Sequence, residues 1–209
     1  MTRALLRLAI PRLLIAGACA VALSGCISLL PKTKPAQLYR FGPTPAAAAA
    51  TAAPRPHAIS VFRTNGSFAS ESADDRILTV TGGKAAYIAQ SRWVAPAAEL
   101  FNEAVSEAFD PSPVRLIARG QQGRFAYALR LDVRKFEARY ASGADAAPTI
   151  VVRVHAALSK PDQSVVGEQI FEASIPAGSN RVSAIVSAYD QAVNDVLAKL
   201  VAWTEATAT

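Results

Sequence analysis

The sequence predicts an α+β domain of two layers, a mainly antiparallel sheet with two amphipathic helices on one face. Three observations carry that reading. Residues 125–133, 150–158 and 165–175 are three consecutive strand-like runs joined by short turns, which implies an antiparallel meander. Two other segments, around 100–108 and 182–200, repeat their apolar residues at helical spacing. Apolar residues make up 51% of the chain and charged residues 18%, too apolar for disorder and too weakly charged for a coiled coil.

The elements follow in order. Gln37-Leu38-Tyr39-Arg40-Phe41 alternates and reads as a short strand. Residues 43–56 are rich in Ala and Pro. Their alanines favour helix, but Pro43, Pro45, Pro54 and Pro56 interrupt any long one, so the segment reads as a low-complexity loop. Ile59 and Val61 suit one face of a strand, and Arg76 to Thr81 is another β-type run stopped by Gly82-Gly83. Lys84 to Trp93 leads into a helix whose first turn Pro96 fits, because a missing N–H costs nothing there. Leu100, Phe101, Ala104, Val105 and Ala108 form its apolar stripe, and Asp110-Pro111 ends it.

Val114 to Ala118 is a short β run. Phe125, Tyr127, Leu129, Leu131 and Val133 then alternate with Arg124, Arg130, Asp132 and Arg134, one face apolar and one wet. Phe136 is out of phase, so a bulge or strand end is expected near Lys135. Ile150 to Leu158 and Val165 to Ile175 complete the meander. Pro176-Ala177-Gly178 stops the sheet, and Ser179 or Asn180 is expected to cap a final helix of about 24 residues, ~36 Å long at 1.5 Å per residue.

The first 26 residues read as a targeting signal. Arg3, Arg7 and Arg12 form a basic start without acids, and Leu13 to Leu23 is an apolar run too short to span ~30 Å of hydrocarbon. Leu23-Ser24-Gly25-Cys26 follows, and it resembles the lipobox of bacterial lipoproteins. That resemblance implies cleavage before Cys26, acylation of Cys26 and a mature protein tethered to a membrane. The alternatives are a plain secreted protein with a free Cys26, or a short membrane anchor. The expected organisation is a signal peptide at 1–25, a lipidated tether at 26–36 and a single domain at 37–209. Ile27 follows the cysteine where an Asp would resemble an inner-membrane retention signal, which points to the outer membrane.

Processing changes the charge. Three arginines and no acid leave with residues 1–25, so the formal charge of +6 falls to +3. A nucleic-acid role then fails on charge and on compartment. Two cysteines and two histidines exclude a disulfide scaffold and a Cys/His zinc site, so no metal and no cofactor is expected.

Nothing announces catalysis. His57 and His155 are the only histidines and His155 reads as a surface one, Glu99, Glu103 and Glu107 read as a solvated helix face, and Gly82-Gly83-Lys84 as a turn without phosphate-loop spacing. One charge pattern stands out. Arg124, Arg130, Arg134 and Arg153 fall on the non-core side of their alternations, and a basic sheet face of that kind suits anionic lipid headgroups or an acidic partner. The alternative is a face simply kept wet, with Asp132 and Glu168 or Glu172 as counter-charge.

Together with the lipobox, Leu38-Tyr39-Arg40-Phe41, Ile77-Leu78-Thr79-Val80, Tyr87 and Ser91-Arg92-Trp93 ahead of Pro96 resemble the ABC-type transport auxiliary lipoprotein family. The loop at 43–56 is not part of that pattern. The resemblance implies a non-enzymatic envelope lipoprotein facing the periplasm, working beside an ABC permease, its ATPase and an MCE-domain protein to move lipids or other hydrophobic molecules. It carries over no active-site residue, gives a role to Cys26 alone, and leaves room for a homo-oligomer. The alternative is a structural or assembly lipoprotein of the envelope with no cargo.

Overall fold

The computed structural model describes residues 35–42 and 59–208. The expected signal peptide, Cys26, the loop at 43–56 and His57 lie outside them. Residues Ala36–Thr209 form one compact unit. Its elements are β1 (Gln37–Tyr39), β2 (Ile59–Arg63), β3 (Arg76–Thr81), β4 (Lys84–Trp93), α1 (Ala97–Phe109), β5 (Val114–Ile117), β6 (Tyr127–Tyr140), β7 (Thr149–Ser159), β8 (Val165–Pro176) and α2 (Val182–Thr207).

The expected meander is present: β6 pairs antiparallel with β7 and β7 with β8, over most of their lengths. Its alternation is explained by burial, since Leu129, Leu131, Val133, Ile150, Val152 and Val154 all point into the core. The expected bulge is also there. The β6–β7 register shifts between Val133 and Lys135, so Arg134 and Lys135 both lie away from the core and Phe136 returns to it.

The rest of the sheet is mixed. The strand order β1-β4-β3-β6-β2-β5 contains the antiparallel hairpin β3–β4 and the parallel pairs β1–β4, β3–β6, β6–β2 and β2–β5. The hairpin turns on Gly82 and Gly83, whose φ values of 53° and 81° are those a two-residue turn of this hand requires. Lys84–Trp93 is a ten-residue strand in its own right; Gln90, at φ 54°, interrupts it and breaks its alternation.

Both helices pack against one sheet face. α1 has no side-chain cap. Its first N–H groups, those of Ala97 and Ala98, donate to the carbonyls of Asp74 and Ala73. Pro96 sits one position before the helix, with its carbonyl accepting from Glu99 and Leu100. The expected cap of α2 is corrected: the capping position is Arg181, without a side-chain bond. Asn180 is engaged elsewhere, accepting from the Tyr140 hydroxyl at 2.8 Å and donating to the Ala144 carbonyl at 2.9 Å.

Four rings lock the layers together. Phe41 after β1, Trp93 of β4, Phe136 of β6 and Tyr189 of α2 sit with neighbouring centroids 4.9–5.2 Å apart. All four are at most 2% exposed, and offset or edge-on aromatic contacts of this kind add about 0.5–1.5 kcal/mol per pair beyond area burial. The Tyr189 hydroxyl donates to the Leu78 carbonyl at 3.4 Å, and burial pushes its pKa well up, with the Glu137 charge adding to the effect.

Candidate functional site

The four arginines expected on one sheet face do not share it equally. Arg124 precedes β6 and lies exposed in the connecting loop rather than on the strand. Arg130 bonds the Asp132 carboxylate through Nε at 3.1 Å, and Arg153 lies 3.4 Å from Glu172. Arg134 and Lys135 are brought together by the bulge, with Lys135 opposite Arg153. Among the described residues neither Arg134 nor Lys135 makes an ion pair. The outer face of β6–β8 is therefore a ladder of alternating charges with one basic spot at the bulge.

Asp132 anchors that ladder. Burial raises its pKa, but the Ser67 N–H and hydroxyl, at 2.9 and 2.8 Å, and the Arg130 guanidinium outweigh burial and hold the carboxyl below its ordinary value. His155 stands between Asp132 at 3.7 Å and Glu168 at 3.8 Å, too long for hydrogen bonds. It is half-buried rather than a plain surface histidine. The glutamates of α1 also depart from a uniformly solvated face. Glu103 pairs with Arg40 at 2.6 Å, and Glu107 has an oxygen buried without a hydrogen-bond partner among the described residues. Burial raises the Glu107 pKa, opposed by Arg40 and reinforced by Glu103 and Asp110.

A second feature escaped the sequence reading. Arg63, the last residue of β2, is 8% exposed and donates to the Asn102 amide oxygen at 2.7 Å. With Thr64, Ser67, Phe101, Asn102 and Arg119 it lines a cavity of about 170 Å³ between α1 and the segment that follows β2. Arg63, Asn102 and Arg119 line a further cavity of about 210 Å³ as well. The alternation Ile59, Val61, Arg63 was the available signal, since it places the arginine on the apolar side of its strand. Gly66 makes the wall possible: a Cβ there would lie 1.7 Å from the Leu131 carbonyl oxygen.

Among the described residues no group of three or more His, Cys, Asp or Glu side chains is placed to share a metal ion. No helix among them is long and apolar enough to cross a membrane.

Among the described residues, several that carried the family resemblance converge in space. Tyr39 pairs with Trp93, Val94 N–H donates to the Tyr39 carbonyl at 2.8 Å, and Arg92 holds Asp75 through two bonds of 2.9 and 3.0 Å. The sequence model of the ABC-type transport auxiliary lipoprotein component family matches residues 39–201. The chain belongs to this family. The match runs from β1 into the last turns of α2, and so takes in the whole aromatic cluster.

Solved structures agree with the family's fold. This auxiliary lipoprotein is similar to protein XCC0632 from Xanthomonas campestris, described under the family model DUF330. The two are 26% identical with a TM-score of 0.68, over 82% of this chain and 96% of that one. A crystal structure described as an uncharacterized protein matches at 11% identity and TM-score 0.60, over 83% and 98% of the two chains, and supports the fold alone. Among curated proteins none matches the chain.

Proposed function

We propose that the chain is a non-catalytic accessory subunit of an MCE-type ABC transport system that moves lipids or other hydrophobic molecules across the cell envelope. It is anchored by acyl chains on Cys26 and faces the periplasm, on the outer membrane. The observation that carries this reading is the family match over residues 39–201, because it covers the sheet-and-helix body and describes an auxiliary lipoprotein component of ABC-type transport. Leu23-Ser24-Gly25-Cys26 supports the anchor, and Ile27 supports the outer membrane.

The tether sets the working range. Residues 26–36, at about 3.5 Å each when extended, let the body stand up to about 40 Å from the anchor. Two or three acyl chains hold far more firmly than one, at about 0.8 kcal/mol per buried methylene. The basic spot of Arg134 and Lys135 acts on anionic headgroups when the body lies against the membrane, and salt screens it beyond about 10 Å.

The test has two arms. Native protein purified from membranes should begin at an acylated Cys26 by mass spectrometry, and Cys26→Ser should release it from the membrane fraction. Affinity purification after cross-linking should enrich an MCE-domain protein and an ABC permease over an unrelated lipoprotein. An unmodified N-terminus elsewhere overturns the anchor, and no enrichment overturns the partnership.

A further inference from the structure

The cavity beside Arg63 poses a charge problem. A guanidinium that is 8% exposed ordinarily needs a carboxylate or comparable anion beside it, because an unpaired charge away from water is costly. Arg63 has none. Its one hydrogen-bond partner among the described residues is the neutral Asn102, and neither Arg63 nor Arg119 makes an ion pair there. Instead the two arginines line the same cavity, and burial together with the Arg119 charge lowers the Arg63 pKa to about 10.

The rest of the chain cannot supply the missing charge from its N-terminal side. No Asp or Glu precedes Glu71, so residues 1–34 and 43–58 hold no side-chain carboxylate at all. Among the described residues no acidic side chain lines the two cavities described above. Among the described residues no carboxylate pairs with Arg63, so the position is open to an anion from outside the chain.

The donors define its chemistry. Arg63 uses one of its five N–H groups on Asn102, and accepting that bond fixes the Asn102 amide so that its NH₂ remains available to donate. Arg119 spends one bond, at 3.2 Å, on Asn65 and is exposed at the cavity's edge. Two guanidinium forks and an amide suit a tetrahedral oxyanion, with several acceptor oxygens, better than a flat carboxylate held by one fork. They repel cations. The cavity of about 170 Å³ is smaller than the roughly 300–1,000 Å³ of sites that enclose drug-sized ligands, so it takes a charged group and leaves the remainder of a larger molecule outside.

We propose that Arg63, Arg119 and Asn102 form a binding site for a phosphate group, carried either by a phospholipid headgroup or by free phosphate. Arg63 is the buried anchor, Arg119 the accessible second fork, and Gly66 admits the backbone that closes the wall against β6. The site is independent of which transporter the chain serves and of the anchor at Cys26.

The experiment follows thermal unfolding of the full mature chain against inorganic phosphate, with chloride at matched ionic strength as control. Phosphate should raise the unfolding midpoint in a saturable way. Arg119→Gln, at an exposed position, should weaken the apparent affinity by about tenfold or more, the size of a lost charge-assisted bond. Arg63→Met should abolish the response, and its unfolding midpoint without phosphate should equal or exceed that of the parent, because it deletes an unpaired buried charge. A second arm adds short-chain phosphatidylglycerol. Competition with phosphate at tighter affinity assigns the site to a headgroup, and phosphate binding without competition assigns it to the free ion. A phosphate effect no larger than chloride's, or equal effects in the parent and Arg119→Gln, overturns the proposal.

Discussion

The Gly42 N–H donates to the Asp190 carboxylate at 2.9 Å and so ties the end of the β1 segment to the N-terminal half of α2. Gly42 is at φ +83°, and a Cβ there would stand 3.3 Å from that of Ala104, so the contact needs glycine at this position. A hydrogen bond to a charged acceptor contributes about 1.5–3 kcal/mol. Asp190→Ala should therefore lower the stability of the body by about 2 kcal/mol in urea unfolding, and Asp190→Asn by less. A loss no larger than that of an exposed control such as Asp145→Ala would remove Gly42–Asp190 from the list of contacts that matter.

The aromatic cluster predicts a graded series. Trp93→Ala deletes the ring that touches Phe41, Phe136 and Tyr189, and should cost about 3–5 kcal/mol. Tyr189→Phe keeps the ring and loses only a 3.4 Å bond to Leu78, so its cost should stay within about 1 kcal/mol. The order is checked by denaturant midpoints. Equal losses from the two variants would show that the hydroxyl, and not the packing, dominates.

Glycine positions divide by what surrounds them. Gly66→Ala drives a Cβ into the Leu131 carbonyl and forces the segment after β2 away from β6, at a cost of about 2 kcal/mol or more. Gly82 has open space around it and sits in a turn that also accepts Asn, so Gly82→Asn should stay within about 1 kcal/mol of the parent. Thermal midpoints of the two variants measured side by side give the comparison.

What could be read from the sequence follows what is local. The β6–β8 meander was legible because each strand alternates against one buried face, and even the bulge at Arg134 showed as the phase error of Phe136. The parallel pairings of β1, β2 and β3 were not legible, because they join segments far apart in sequence and leave no local period. The α2 cap differs from the expectation because Asn180 is engaged by Tyr140 and Ala144, partners nearly forty residues away that local spacing does not show. The arginines of the outer sheet face read from the sequence either as a basic surface or as a wet face balanced by Asp132 and Glu168 or Glu172. The structure balances Arg130 with Asp132 and Arg153 with Glu172, because which charges meet depends on cross-strand register that alternation alone does not set. Arg63 went unnoticed because Asn102 and Phe101, which close over it, come from a helix nearly forty residues on.

Two carboxylates of the body titrate in opposite senses, which gives a test with a built-in control. The Ser67 bonds and Arg130 hold Asp132 below its ordinary pKa against the opposing effect of burial, so its ionised form favours the folded state. That stabilisation is complete above the unfolded value of about 4 and is lost as pH falls through the lower folded value. Glu107 is the reverse. Burial raises its folded pKa, so its charge opposes folding at neutral pH, and the penalty fades as pH falls through the folded value and is gone below the unfolded one. Asp132→Asn should therefore be less stable than the parent at about pH 7 and converge with it in acid. Glu107→Gln should be more stable at about pH 7 and converge over the same descent. Urea midpoints measured from about pH 7 down to about pH 3 separate the cases, and variant curves that run parallel to the parent's would show that neither carboxylate is coupled to folding.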